Sequence, residues 1–325
     1  MNILILSCGT RNKIIEYFKR ELPEGSRVIA TDCSGLAPAL YEADGYYLVS
    51  PIKEAGYVDE IISICEKEHI NAVFSLIDPE LTLLAENKKR FLDKGIIPIV
   101  SDYDVIDICF DKYKMFEFCY QNKIPTVLTY KNFLDFWEAY EKKEAEFPVF
   151  VKPRCGSCSM EAQKVGSIEK LKLLCEQNPE LIIQECIEGI EIGADVYIDL
   201  LSEETVSIFT KQKLLMRAGE TDKSVSIKDS YLFELIEEFV KKLGAVGHID
   251  IDIFKKENRY FISEVNPRFG GGYPHAYECG VNFPEYIINN LSGIENKKMI
   301  GNYEAGIYMM KYLDVKVASD LRKTR

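Results

Sequence analysis

The stretch "YFISEVNPRFGGGYPH", residues 260–275, begins as a buried β-strand with Tyr260, Phe261, Ile262 and Val265, and ends in three glycines. Between these, Glu264, Asn266 and Arg268 occupy every second position. Side chains at i, i+2 and i+4 of a strand share a face, so the three form one polar row. Left buried and unpaired, such a row would cost several kcal/mol. A glutamate at a solvent-facing sheet edge would account for Glu264 alone. It does not account for three aligned polar groups ending in an arginine.

The partner strand lies just upstream. "GHIDIDIFKKENRYFISEV", residues 247–265, reads as a hairpin whose turn is the polar "KKEN". Centred near Asn258, it sets Asp252 roughly opposite Glu264. Like charges directly across two strands destabilise the pair, and a cation between them reverses the sign. Two carboxylates and the amide oxygen of Asn266 make a hard, oxygen-only donor set suited to Mg²⁺. So few protein ligands leave a Mg²⁺ shell to be completed by water and nucleotide phosphates.

Two further stretches carry chemistry. In "FPVFVKPRCGSCSM", residues 147–160, a strand delivers Lys152 into a turn. The small residues Gly156, Ser157 and Ser159 let backbone N–H groups approach an anion there. A plain hairpin turn would read the same way. In "IIQECIEGIEI", residues 182–192, an apolar strand is followed by Glu185, Glu188 and Glu191. These acids are either solvated or accept hydrogen bonds from an adenine amino group and ribose hydroxyls. The polar stretch "LLMRAGETDKS", residues 214–224, reads as a loop able to close over the site. Its Arg217 is a candidate for a substrate carboxylate or a γ-phosphate, or is simply a solvated loop arginine.

Around these motifs the first hundred residues alternate apolar strands ("NILILS", "RVIATD", "NAVFSLI", "IIPIVS") with amphipathic helices. That pattern predicts a doubly wound parallel sheet. A dinucleotide fingerprint fails, because after Gly9 its next two glycine positions hold Arg11 and Ile14. Asp32 is then a strand-end turn former. Single helices are expected over "PELTLLAENKKRFLDKG" and "VIDICFDKYKMFEFCYQNK", and from residue 148 the texture is α+β with antiparallel pairing.

With 325 residues, 47% of them hydrophobic and 28% charged, the chain is of an ordinary soluble kind with two or three lobes. A formal charge of −12 excludes a nucleic-acid backbone as a natural partner. No apolar run reaches the length of a membrane span, and "MNILILSCG" lacks the basic start of a signal peptide. Ten scattered cysteines favour reduced thiols in a cytoplasm. The one close pair, Cys155 and Cys158, is read as small residues beside a tight loop, since a metal site would need two more ligands.

Taken together these motifs resemble the ATP-grasp superfamily, and within it a single synthetase unit of the carbamoyl-phosphate synthetase large-subunit type. The resemblance implies a Rossmann-like leading unit over 1–108 and an ATP-grasp unit over 109–325. The latter would divide into a small ATP-clamping lobe at about 125–190 and a larger metal-binding lobe at 191–325. It further implies that Lys112 and Lys152 touch ATP phosphates under the 154–160 loop. Glu185 and the backbone of Cys186 and Ile187 would read adenine, and Glu191 would hold the ribose. Asp252, Glu264 and Asn266 would bind Mg²⁺, or Mn²⁺ in its place, and Arg268 would face the reacting phosphoryl group. One departure stands out. Phe269-Gly270-Gly271-Gly272 replaces the family's serines and second arginine, which opens space or frees the backbone for another substrate.

The expected activity is an ATP- and Mg²⁺-dependent carboxylate–amine or carboxylate–thiol ligase working through an acylphosphate. The expected partners are small-molecule carboxylates and amines, with no nucleic acid and no membrane, and a homodimer is compatible with the sequence. Two rivals are a carbamoyl-phosphate-synthetase-like unit fed by a partner subunit, and a nucleotide-binding module without turnover. The second would not require an arginine aimed at a transition state.

Overall fold

The computed structural model describes residues 1–156 and 162–321. Ser157, Cys158 and Ser159 therefore lie outside the described residues. The leading sheet is parallel, with β1 (Asn2–Leu6), β2 (Arg27–Asp32), β3 (Gly45–Leu48), β4 (Ala72–Ser75) and β5 (Ile97–Pro98) in the order β3-β2-β1-β4-β5. Its central strands β1, β2 and β4 are buried on both faces, as the middle of a parallel sheet demands, while the edge strands β3 and β5 are partly open. Helix α1 (Asn12–Glu21) packs on one face; α2 (Tyr57–Lys67) and α3 (Asp78–Glu86) pack on the other. Asp32 ends β2 as a turn former: its carboxylate accepts the N–H groups of Gly9 and Ser34.

Two long helices expected from the sequence are each broken. Asn87 separates α3 from α4 (Lys88–Leu92). Asp111 separates α5 (Tyr103–Phe110) from α6 (Lys112–Gln121). The second break has a visible cause. Asp111 is extended, with φ −102° and ψ 105°, and its side chain caps the N–H groups of Tyr113 and Lys114. The same carboxylate pairs with Arg154, whose Nε and Nη2 lie 2.7 and 2.6 Å away.

A four-stranded antiparallel sheet follows, ordered β6-β9-β7-β8, from β6 (Thr129–Tyr130), β7 (Val149–Pro153), β8 (Gln163–Val165) and β9 (Leu181–Glu185). Helices α7 (Phe133–Glu141) and α8 (Ile168–Gln177) contribute to its core. The last sheet has six antiparallel strands, ordered β14-β13-β10-β11-β12-β15. They are β10 (Ile190–Ile198), β11 (Thr205–Arg217), β12 (Glu220–Ile227), β13 (Gly247–Lys256), β14 (Arg259–Asn266) and β15 (Tyr308–Met310). The stretch 214–224, expected as a loop, is the tip of the β11–β12 hairpin. Ala218 and Gly219 take φ of 50° and 78° there, the backbone that a two-residue hairpin turn requires.

Alternation along the six-stranded sheet separates its faces. Ile192, Ala194, Val196, Ile249, Ile251, Ile253, Ile262 and Val265 pack on Leu232, Ile236 and Phe239 of α9 (Ser230–Leu243). The intervening residues, among them Glu191, Asp195, Asp250 and Asp252, fall on the opposite face. The pairing register slips between Asp252 and Ile253, which face Glu264 and Ile262, so Ser263 is the extra residue. This bulge lets Ile262 and Val265 share the core while Glu264 and Asn266 stay on the polar face.

Asp199, just after β10, anchors this sheet to the helix Phe283–Leu291. It is fully buried and accepts from the N–H groups of Leu201, Ser202 and Asn296 and from the amides of Asn290 and Asn296. Burial would raise its pKa, but the hydrogen bonds from Asn290, Asn296 and Ser202 overcome that and hold it at about 2. A depressed carboxylate pKa contributes stability above the unfolded value, and that stability is lost as pH falls towards 2. Asp199→Asn should therefore cost about 2 kcal/mol at pH 7. Urea unfolding of both proteins from pH 7 down to pH 2 should show the difference shrinking below pH 4.

Candidate active site

A cleft of about 490 Å³ opens between the four- and six-stranded sheets. That is an ordinary size for a small-molecule site. Its walls include Lys112, Lys152, Gly156, Glu185, Cys186, Ile187, Glu191, Asp252 and Glu264. Nine residues singled out in the sequence, from Lys112 to Glu264, thus meet at one surface.

Each is delivered by a particular element. Lys112 begins α6, directly after the Asp111 break, and its ammonium donates to the carbonyl of Gly156. Lys152 comes from β7. Both reach Glu264, their Nζ atoms standing 3.9 and 3.5 Å from Oε2. Burial, and secondarily Lys112, lowers the pKa of Lys152 against the pull of Glu264. Residues 185–187 form the strip after β9. The N–H of Glu185 donates to the Leu128 carbonyl, and its Oε1 accepts the Leu128 N–H at 2.9 Å. Linker residues 125–127 pair with Ile262 on β14, joining the two sheets behind the cleft.

Asp252 stands directly across from Glu264, as expected, and Asp250 across from Asn266; the turn itself is centred one half-residue earlier, between Glu257 and Asn258, and the bulge at Ser263 shifts the pairing onto Glu264. What offsets the facing carboxylates was not legible in the sequence. Lys213 of β11 is almost fully buried and lies 2.6 Å from Asp252 and 2.9 Å from Glu191. Burial would lower its pKa, yet Asp252 and Glu191 raise it instead, so it stays charged. Its only sequence signal was the alternation of Lys211 and Lys213 in "TKQKLLM", two cations on one strand face. Lys211 pairs with Asp195 in full burial. Among the described residues no three His, Cys, Asp or Glu side chains converge as a self-sufficient metal cage. Asp252, Glu264 and Asn266 fit a hard cation that takes its other ligands from phosphate oxygens.

Asn266 and Arg268 sit outside the cleft wall. Asn266 lines a slot of about 10 Å³ with Asp78, Lys112, Gly156 and Glu264. Arg268 is buried and forms a two-point pair with Asp78 of α3, Nε to Oδ1 at 2.9 Å and Nη2 to Oδ2 at 3.0 Å. Arg217 points away from these groups. Its side chain is 60% exposed and pairs with Asp222 at 3.4 Å, although neighbouring Met216, Ala218 and Gly219 line the cleft. The three glycines do not open space. A Cβ on Gly270, Gly271 or Gly272 would lie within 2.5–2.8 Å of Asp250, Glu220 or Lys211 respectively, so charged side chains of this chain fill that room.

Comparison with known proteins identifies the family. The family model described as "ATP-grasp domain" matches residues 109–272, half of the chain, and one described as "PylC-like, N-terminal domain" matches residues 3–99. The chain belongs to the ATP-grasp family. The 3-methyl-D-ornithine–L-lysine ligase of Methanosarcina mazei is 25% identical over 223 residues, covering 66% of this chain. The matched region spans about half of that curated relative, 54% of its length. The biotin carboxylase domain of the Hydrogenobacter thermophilus 2-oxoglutarate carboxylase, solved with MgADP and bicarbonate, superposes with a TM-score of 0.76. It is 17% identical, over 94% of this chain and 73% of that one. A Bacillus licheniformis L-amino acid ligase gives a TM-score of 0.68 at 16% identity, over 89% of this chain and 74% of that one. At such identities the likeness is one of fold.

Removing the buried cation tests how the carboxylates are held. Lys213→Met leaves Asp252 and Glu191 without it, and should cost about 3 kcal/mol in the nucleotide-free protein. Millimolar Mg²⁺ should restore more stability to the variant than it adds to the wild type, as read by urea midpoints.

Proposed function

We propose that the protein is an ADP-forming ligase that joins a carboxylate to an amine through an acylphosphate. The observation that carries this reading is the Asp252–Glu264 rung facing Lys112 and Lys152 in one cleft, with Lys213 buried against Asp252. Phosphoryl transfer asks a protein for positioning and charge neutralisation more than for covalent chemistry, and this set supplies both.

In this reading Lys112 and Lys152 take the phosphates, the strip 185–187 takes adenine, and Glu191 takes the ribose. Gly156 leads into the covering loop, to which Ser157 and Ser159 would contribute. Asp252, Glu264 and Asn266 would hold Mg²⁺, which neutralises charge on the phosphates when bound. A substrate carboxylate oxygen attacks the γ-phosphorus, and ADP leaves. The amine nitrogen then attacks the acyl carbon, phosphate leaves, and the nitrogen gives up a proton. Arg268, steered by Asp78, stands at the end of the row where the transferred group is held. No helix among the described residues is long and apolar enough to cross a membrane. The nine cysteines described are all unpaired, and we place the reaction in the cytoplasm. The curated relative is named for joining two amino acids, so amino acids are the first acids and amines to try.

A melt and a turnover assay test the assignment. Mg·ATP at 100 times its Kd should stabilise the fold by about 2.7 kcal/mol, and NAD should not. With an accepted acid and amine, phosphate should appear in step with ADP; stoichiometric AMP would sink the mechanism. Glu264→Gln should stay folded while phosphate release drops about a hundredfold, on the order of 3 kcal/mol. Full activity in that variant would place the metal site elsewhere.

A further inference from the structure

Glu80, in the first turn of α3, is fully buried in the leading unit. Its partners are hydroxyls, not a cation. Oε1 accepts from Tyr57 at the start of α2, and Oε2 accepts from Ser75 at the end of β4. The hydroxyl of Ser7, directly after β1, donates a third bond. Ser7 has a φ of 47°, a backbone region that non-glycine residues seldom take and keep only where their surroundings fix it. For stability alone an apolar side chain would serve better, because a buried ionisable group without a charged partner is costly.

The carboxylate fixes the first turn of α3. Ile77, the residue before that helix, is extended and has no capping side chain. Instead its N–H donates to Ser75 Oγ at 3.1 Å, and the same hydroxyl donates to Glu80. Asp78 lies between the two tied points, Ile77 and Glu80. It lines the slot beside the cleft together with Lys112, Glu264 and Asn266, and holds Arg268 by the two-point pair. The other hydrogen bond of Arg268 goes to the adjacent Phe269 carbonyl at 3.2 Å. Among the described residues, then, Asp78 alone fixes the plane of the guanidinium through side-chain bonds. Two parallel N–H···O bonds tolerate little displacement, and a misplacement of about 1 Å can cost on the order of a hundredfold in rate.

We propose that Glu80 is a positioning residue for phosphoryl transfer: through Ser75 and the first turn of α3 it sets Asp78, and through Asp78 it aims Arg268 at the transferred group. This rests on the ligase reading and deepens it. Glu80 itself touches neither the cleft nor the slot, so its effect is carried entirely by the hydrogen bonds between it and Arg268.

The full chain carrying isotope-labelled arginine reports the pair by nuclear magnetic resonance, the Arg268 Nε–H signal being assigned by its loss in Arg268→Lys. Glu80→Met, of similar length but without an acceptor, should speed hydrogen exchange at that Nε–H tenfold or more. Glu80→Gln should stay within threefold of the wild type, since its amide can accept from Ser75 and donate to the Tyr57 oxygen. The Kd for Mg·ADP should stay within threefold in both, which shows that each is folded. If Glu80→Met loses ADP binding, Ser75→Ala is judged by the same exchange rate. With an acid and amine that the wild type joins, Glu80→Met should lower kcat at least tenfold and leave KM for ATP within threefold, and Glu80→Gln should restore kcat. An Arg268 signal absent from the wild type, exchange or kcat unchanged in Glu80→Met, or no restoration by Glu80→Gln would overturn the proposal. If no acid and amine make the wild type release phosphate, the ligase reading falls alone, and the exchange rate still decides whether Glu80 positions Arg268.

Discussion

Two carboxylates placed face to face on neighbouring strands, Asp252 and Glu264, set the terms for the rest of the site. At roughly 5 Å and an effective dielectric of about 20 their repulsion is about 3 kcal/mol. The fold tolerates it because cations arrive from three neighbouring elements. Lys213 comes from the same sheet, Lys152 from the facing sheet, and Lys112 from the helix that starts at the Asp111 break. The arrangement is balanced but not saturated. Glu264 is held at 3.5 and 3.9 Å, longer than a direct hydrogen-bonded pair, which leaves its oxygens available to a ligand.

That constraint explains local features that look arbitrary alone. The bulge at Ser263 allows Ile262 and Val265 to stay in the core while Glu264 and Asn266 stay out of it. The interruption at Asp111 starts a new helix with Lys112 directed at Gly156, and the Asp111–Arg154 pair fixes the first residue of the covering loop against that start. The glycines after Arg268 let the chain pass over Asp250, Glu220 and Lys211. Those charges are part of the same balance. Burial, then Asp252 and Asp195, raises the pKa of Asp250, while Asp78 keeps Arg268 charged despite its burial.

Two ion pairs join the leading unit to the rest of the chain near the site, Arg11–Glu220 and Asp78–Arg268. Between them lies an aromatic seam in which His248 stacks on Phe269 at 3.8 Å and Phe74 meets both rings. Burial, and then Arg268, keeps His248 neutral, with its pKa down at about 3. The interface therefore has a neutral, apolar middle with charge at its margins.

Much of this was legible in the chain itself. Period-two alternation marked the strands, the short "KKEN" turn marked the hairpin to within one residue of the register that the Ser263 bulge completes, and Lys152, Glu191 and Asn266 could be picked out by residue type and spacing. Those signals are local, since they depend on side-chain direction over a few residues. The structure alone decided the partners. Lys213 was invisible as a site residue because nothing within its own strand says that β11 lies beside β10, which lies beside β13. Arg11 and Glu220, 209 positions apart, meet only because the β1 loop and the β11–β12 tip are packed together. Of the two readings of the glycines, the one as open space failed for the same reason. Their emptiness is defined by which side chains occupy the room, and occupancy is a property of packing between distant segments. Pattern along the chain fixes which way a side chain points; only the closed fold determines what it meets.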